Sequence, residues 1–308
     1  MSTARGGLGL FHRGEAAQAS CLQTNASGAQ RGLGFSTPDI KLHTPKAFGG
    51  RMLIESNAQF STVLGMIQSL VNTPDGTAIV KVLLRWSHFV AGITWIGLLY
   101  FFNLINVPFQ KTLDAPTKGK VNPELLTRTL WWFRWGAVVT VLVGLTYYAM
   151  YILSPEAKAA GVNPWAQLGI WLVIVLVTYA IMFALYRVPA LTKDGRILAV
   201  VIFILMLVMT WAILYVMGNA SNVTDIVGNK TYLGNKSLSI GVGGGMGILM
   251  LLNVWGVIWP AQKRIIAWTR DNAENGTPIP PEAAGLARKA FLASRTNAWL
   301  SLPMLFFM

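Results

Sequence analysis

Five stretches of this chain, residues 86–107, 130–153, 165–186, 197–217 and 238–259, are long and apolar, and Arg134 is the single charged residue among them. A hydrocarbon core of about 30 Å needs roughly 20 apolar residues in helical form, because backbone polar groups left unpaired in lipid are too costly. The runs therefore predict an all-α integral membrane protein, a helical bundle with five full transmembrane helices. Composition agrees, since 54% of the 308 residues are hydrophobic, only 12% are charged and the mean hydropathy is +0.50. A further run, residues 299–308, reaches only about half a span's length. It predicts either a sixth helix truncated at the C-terminus or a segment lying at the interface.

Residues 1–51 differ sharply from the rest. They are rich in Gly, Ala, Ser, Thr and Arg, and all twelve tryptophans fall at or after Trp86. Such a segment builds no core, and it reads as a disordered extension or as lying upstream of a true start at Met52. Residues 52–78 form a lead-in: Phe60, Val63, Leu64, Ile67, Leu70 and Val71 recur at helical spacing, predicting a short interfacial helix before the turn at Pro74, Asp75 and Gly76. The transmembrane domain is then residues 79–308.

A formal charge of +13 arises from 25 basic and 12 acidic residues. The cations crowd into loops without interleaved aromatics, so nucleic acid is a poor partner and the lipid bilayer the natural one. Lys111, Lys118, Lys120 and Arg128 follow the first span; Arg187, Lys193 and Arg196 follow the third; Lys263, Arg264, Arg270, Arg288, Lys289 and Arg295 follow the fifth. The opposite loops hold only Lys158, Lys230 and Lys236. This asymmetry predicts cytoplasmic odd loops and an external N-terminus, with Lys81 and Arg85 as weak counter-signals. Cys21 is the sole cysteine, which excludes a disulfide framework, a thiolate cluster and a covalent haem c site in this chain.

Few side chains within the spans can carry chemistry. His88, Gly92 and Trp95 share a helical face. His88 can ligate haem b through its imidazole, with Gly92 making room for the macrocycle, or it can hydrogen bond a neighbouring helix across a close contact at Gly92. No Asp or Glu lies within the five runs, which argues against a proton relay or an ion-coupled carrier. Arg134 can pair with an anionic substrate or snorkel to the headgroups. Asn103, Asn106, Gln167, Asn253 and Asn297 are the remaining polar candidates, and Arg134, Asn253 and Asn297 are those taken as substrate contacts. The run GVGGGMG at 241–247 reads first as close helix packing, or else as a broken helix beside a ligand.

Three blocks, RWSHFVAGITWIGLLYFFN at 85–103, NVWGVIWPAQKRIIAW at 253–268 and SRTNAWLSLPMLFFM at 294–308, together resemble the membrane domain of the bacterial membrane-bound urate hydroxylases, with WWFRWGAVVTVLVGL at 131–145 adding support. The resemblance implies a multi-helix inner-membrane domain that oxidises urate to 5-hydroxyisourate and passes electrons to a cytochrome c domain or another respiratory acceptor. It departs from that pattern at Thr296, where a histidine commonly precedes the asparagine. Haem b or quinone is the implied redox partner within the membrane, with His88 as the contact. The alternative is a non-enzymatic membrane protein: a purine or small-solute permease, or the membrane partner of a separate cytochrome.

Overall fold

The structure, a computed structural model, describes residues 61, 75–224 and 228–308. The N-terminal extension and all of the predicted interfacial helix but Ser61 lie outside the described residues. Five helices are long and apolar enough to cross a membrane: α1 (Gly76–Thr112), α2 (Ala115–Ala159), α3 (Pro164–Leu185), α4 (Gly195–Gly218) and α5 (Asn235–Asn275). A sixth, α6 (Glu282–Phe307), follows. Among the described residues there is no strand, only an isolated antiparallel bridge between Thr224 and Lys230.

The apolar runs mark where the spans lie but not how long the helices are. α1, α2 and α5 have 37, 45 and 41 residues, and at about 1.5 Å per residue each exceeds the roughly 30 Å hydrocarbon core. The first loop expected from the sequence shrinks to Leu113 and Asp114, with the Asp114 carboxylate capping α2 by accepting from the Thr117 backbone N–H at 3.2 Å. Beyond the core, α2 and α5 pack on each other. A Cβ on Gly119 would meet Ala273 at 3.1 Å, and Arg270 reaches Glu124 at 3.7 Å.

Three of these helices switch to the wider π form, at Phe101–Asn106, Tyr148–Leu153 and Val254–Ile258. In each case a proline stands two residues past the π segment: Pro108, Pro155 and Pro260. Proline lacks an N–H and its ring collides with the carbonyl four residues back. A wider turn relieves that collision without ending the helix, and neighbouring side chains can serve the freed carbonyls.

α5 is the central helix. In its most apolar window 67% of residues are buried, against 17% in α1. Its glycines make this possible: Trp171 on α3 donates Nε1 to the Gly241 carbonyl at 2.8 Å, and Val175 lies 3.1 Å from where a Gly245 Cβ would stand. On the other side the Met304 carbonyl of α6 lies 3.0 Å from a Cβ built on Gly243. The glycine run therefore packs helices on both sides, and α5 passes through it unbroken. α1 instead turns Val82, Trp86, Phe89 and Ile93 outward as an apolar stripe suited to lipid.

The run at 299–308, expected as a half-length sixth span, is the last part of the continuous 26-residue α6. That helix runs antiparallel along α5: Glu282 pairs with Arg264, and the Ser239 hydroxyl donates to the Phe307 carbonyl at 3.1 Å. The short reading arose because the first half of α6 is polar and carries no hydropathy signal.

Candidate functional site

Where α5 and α6 cross, two carboxamides meet in the centre of the bundle. Asn253 and Asn297 are both fully buried. The Asn297 Nδ2 donates to the Met250 carbonyl at 2.9 Å, so its Oδ1 faces Asn253 and accepts from Asn253 Nδ2 at 2.9 Å. The second hydrogen of Asn253 Nδ2 points to the Tyr186 hydroxyl at 3.3 Å, at the end of α3, and Thr296 lies beside that hydroxyl. This chain of donors sets the orientation of both amides. Asn253 Oδ1 is left buried with no partner. An acceptor of this kind, held in place by its own amide's donors, suits a ligand N–H or a water.

The π segment beginning at Val254 belongs to the same construction. Met250 and Leu252 lie in the turn before it, and their carbonyls accept from Asn297 and from the Tyr179 hydroxyl, the latter at 2.9 Å. Side chains from α3 and α6 thus serve backbone groups of α5 where its ladder changes pitch.

α6 also carries polar groups toward α1. Asn103, in the first π segment, donates to the Ser294 hydroxyl at 2.9 Å and to the Leu99 carbonyl at 2.9 Å; Tyr100 and Ser301 share a hydrogen bond at 3.0 Å. Beside them a cavity of about 120 Å³ is lined by Asn103, Asn106, Gln262 and Ser294 together with Phe102 and Phe133. Gln110 extends the polar wall, donating to Asn106 and Asn122.

His88 lies elsewhere, on the α1–α2 seam. Its Nδ1 is 2.9 Å from the Thr140 carbonyl, and because a carbonyl only accepts, Nδ1 carries the proton. Gly144 lies directly under the ring, close enough that a Cβ there would meet Cε1 at 2.7 Å. The flank at Gly92 faces the Thr140 methyl, 3.6 Å from where a Cβ would stand. The tautomer leaves Nε2 free to ligate, as in many histidine–metal sites, but the room expected at Gly92 is taken by Thr140. These residues make a helix-to-helix hydrogen bond.

Arg134 joins neither group. Its guanidinium lies 3.8 Å from the Trp259 ring centre and 5.8 Å from that of Trp255, while Trp135 packs edge-on against Trp255. Arg134 Nε and Trp255 Nε1 are both buried without partners. Among the described residues no group of three His, Cys, Asp or Glu could hold a metal ion.

The sequence profile described as urate oxidase N-terminal matches residues 114–308. The chain belongs to the urate oxidase N-terminal family. No curated protein and no solved structure matches it. The region of this urate oxidase N-terminal chain that matches begins at the α2 cap and runs through α6. It contains Arg134, Tyr186, Asn253 and Asn297, whereas His88 precedes it.

Of the sequence candidates, then, the fold joins Asn253 to Asn297 and leaves His88 and Arg134 apart. Sequence reasoning missed Tyr186, Ser294 and Ser301. Tyr186 closes an apolar run just before Arg187 and looks like an interfacial anchor. The helical spacing of Ser294, Asn297 and Ser301 was the available signal for a polar stripe on α6.

Proposed function

We propose that this chain is the membrane domain of a urate-oxidising system that converts urate to 5-hydroxyisourate. The family match over residues 114–308 carries this reading. In the reaction, water supplies a hydroxyl to C5 of the purine, and urate gives up two electrons and two protons. The electrons pass to a cytochrome c or another respiratory acceptor, one at a time to haem or as a pair to a quinone. The role assigned to Tyr186, Asn253 and Asn297 is to bind and orient the purine: Asn253 Oδ1 accepts a ring N–H, and the surrounding amides hold that oxygen in place. Arg134 is a further candidate for the anionic form of the substrate. The positive-inside asymmetry supports placement in a bacterial inner membrane with odd loops cytoplasmic and the N-terminus outside.

Membranes containing the full chain, supplied with urate and either cytochrome c or a soluble quinone, provide the test. Acceptor-dependent loss of urate absorbance is expected, and its absence with every acceptor would remove the oxidation reading. A second reading is favoured by the hydrogen-bond partners of the Asn253 cluster, all of which are neutral. Such a site lacks a general base and fits a purine permease or the membrane partner of a separate cytochrome. Urate uptake into proteoliposomes without oxidation would establish it.

A further inference from the structure

A crevice of about 180 Å³ opens between the end of α3, the π segment of α5 and the first half of α6. Its wall is apolar, formed by Phe183, Val257, Pro260 and Leu286, with the Tyr186 ring behind. Three cations from three different helical regions stand around it: Arg187 after α3, Arg264 on α5 and Lys289 on α6. All three are exposed. Arg264 is held by Glu282 and lies over Trp268 at 4.9 Å, and Arg187 lies over the Phe183 ring at 4.5 Å. Among the described residues no carboxylate forms an ion pair with Arg187 or Lys289.

We infer that this crevice binds an anionic phospholipid, its phosphate among Arg187, Lys289 and Arg264 and an acyl chain along Gly256, Val257 and Pro260. Two unpaired cations give the charge complement, and basic pockets between transmembrane helices at the cytoplasmic face suit anionic headgroups. The apolar wall separates this ligand from a free anion. Gly256 and Pro260 are exposed within the fifth span, so the crevice opens sideways toward hydrocarbon, where a small soluble anion has no solvation and a lipid brings its own tail. Gly256 lets the Tyr179 hydroxyl of α3 close in on α5 beside the crevice, since any Cβ there would collide with it. Tyr186 connects the two sites, since it backs the crevice and hydrogen bonds Asn253. A bound lipid therefore braces the helices that hold the carboxamide cluster.

The full chain, purified and reconstituted in nanodiscs of phosphatidylcholine alone or with phosphatidylglycerol, tests this without reference to urate. Phosphatidylglycerol is expected to raise the thermal midpoint and to survive as an adduct in native mass spectrometry. The double variant Arg187→Gln with Lys289→Gln should lower phosphatidylglycerol affinity about 25-fold, a factor of about five for each cation, while Arg187→Lys with Lys289→Arg retains binding. Equal retention of the two lipids, an unchanged response in the Gln variant, or the same protection from inorganic phosphate or urate would overturn the proposal. If the Gln variant fails to fold, adduct retention by the wild type and the charge-conserving variant decides the matter.

Discussion

The α1–α2 seam and the α5–α6 seam are built from the same materials and leave different groups unpartnered. Each brings two helices close over small residues and each holds a polar side chain. On α2, Gly136, Thr140 and Gly144 recur every four residues, and His88 spends its proton on a backbone carbonyl. On α5, the glycine run brings in α6, and Asn253 spends both of its amide hydrogens but keeps an unpartnered oxygen. What separates the two seams is the kind of buried valence left over: a donor, Trp95 Nε1, between α1 and α2, and an acceptor, Asn253 Oδ1, where α5 meets α6 and α3.

The comparison breaks most decisively at Asn253. Asn253→Leu preserves bulk but removes the free acceptor, and urate turnover by membranes of the full chain is expected to fall about a hundredfold, the scale of deleting one organised polar contact from a site. Turnover within a factor of two of wild type would mean that the open valence is not where substrate binds.

Asn297→Ala should act on stability first. It removes one hydrogen bond from Asn253 Nδ2, which keeps Tyr186, and one from the Met250 carbonyl, which keeps the Val254 backbone N–H, at a cost of about 1–2 kcal/mol in a membrane protein, readable as a lower unfolding midpoint in detergent. His88→Ala removes one hydrogen bond from a carbonyl that already lies in a helical ladder, costing about 0.5–1 kcal/mol. The purified wild type is expected to show no Soret band, and a band that disappears in His88→Ala would return His88 to the redox site and equalise the seams.

The smallest effect lies outside the membrane, at the junction of α1 and α2. Hydrogen bonds from the Thr117 side chain and backbone hold the Asp114 carboxyl below its ordinary 3.8. A depressed carboxylate stabilises the folded form above 3.8, and that contribution fades as pH falls through the lower folded value. Amide exchange in the first turn of α2, corrected for intrinsic rate, should therefore accelerate as pH drops below 3.8. Asp114→Asn, which still caps but does not titrate, should lose the pH dependence.

Much of the frame was legible in the order of residues. The five apolar runs each fall within one helix, because lipid forces every backbone group in a span to be satisfied locally and hydropathy reports that directly. The three π segments were not legible: Pro108, Pro155 and Pro260 each stand two residues past one, but Pro123 and Pro303 lie inside α2 and α6 with no π segment before them. Helix lengths were not legible: α1, α2 and α5 continue past the hydrocarbon as polar helices packed on each other, where hydropathy gives no sign. Asn253 and Asn297 stood out as uncharged polar residues within or beside apolar runs, but Tyr186 had the local context of an interfacial anchor.

What the sequence determined by itself was the class of protein, the number of apolar spans and the absence of intramembrane carboxylates. These are properties of single segments, settled within a few turns of backbone. Only the tertiary structure decided that Asn253 meets Asn297 and Tyr186, 44 and 67 residues away along the chain, and that His88 meets the Thr140 carbonyl. Pairing between helices depends on how closely they approach and in what register. In this molecule that is set by where α5 has no side chains to hold its neighbours off.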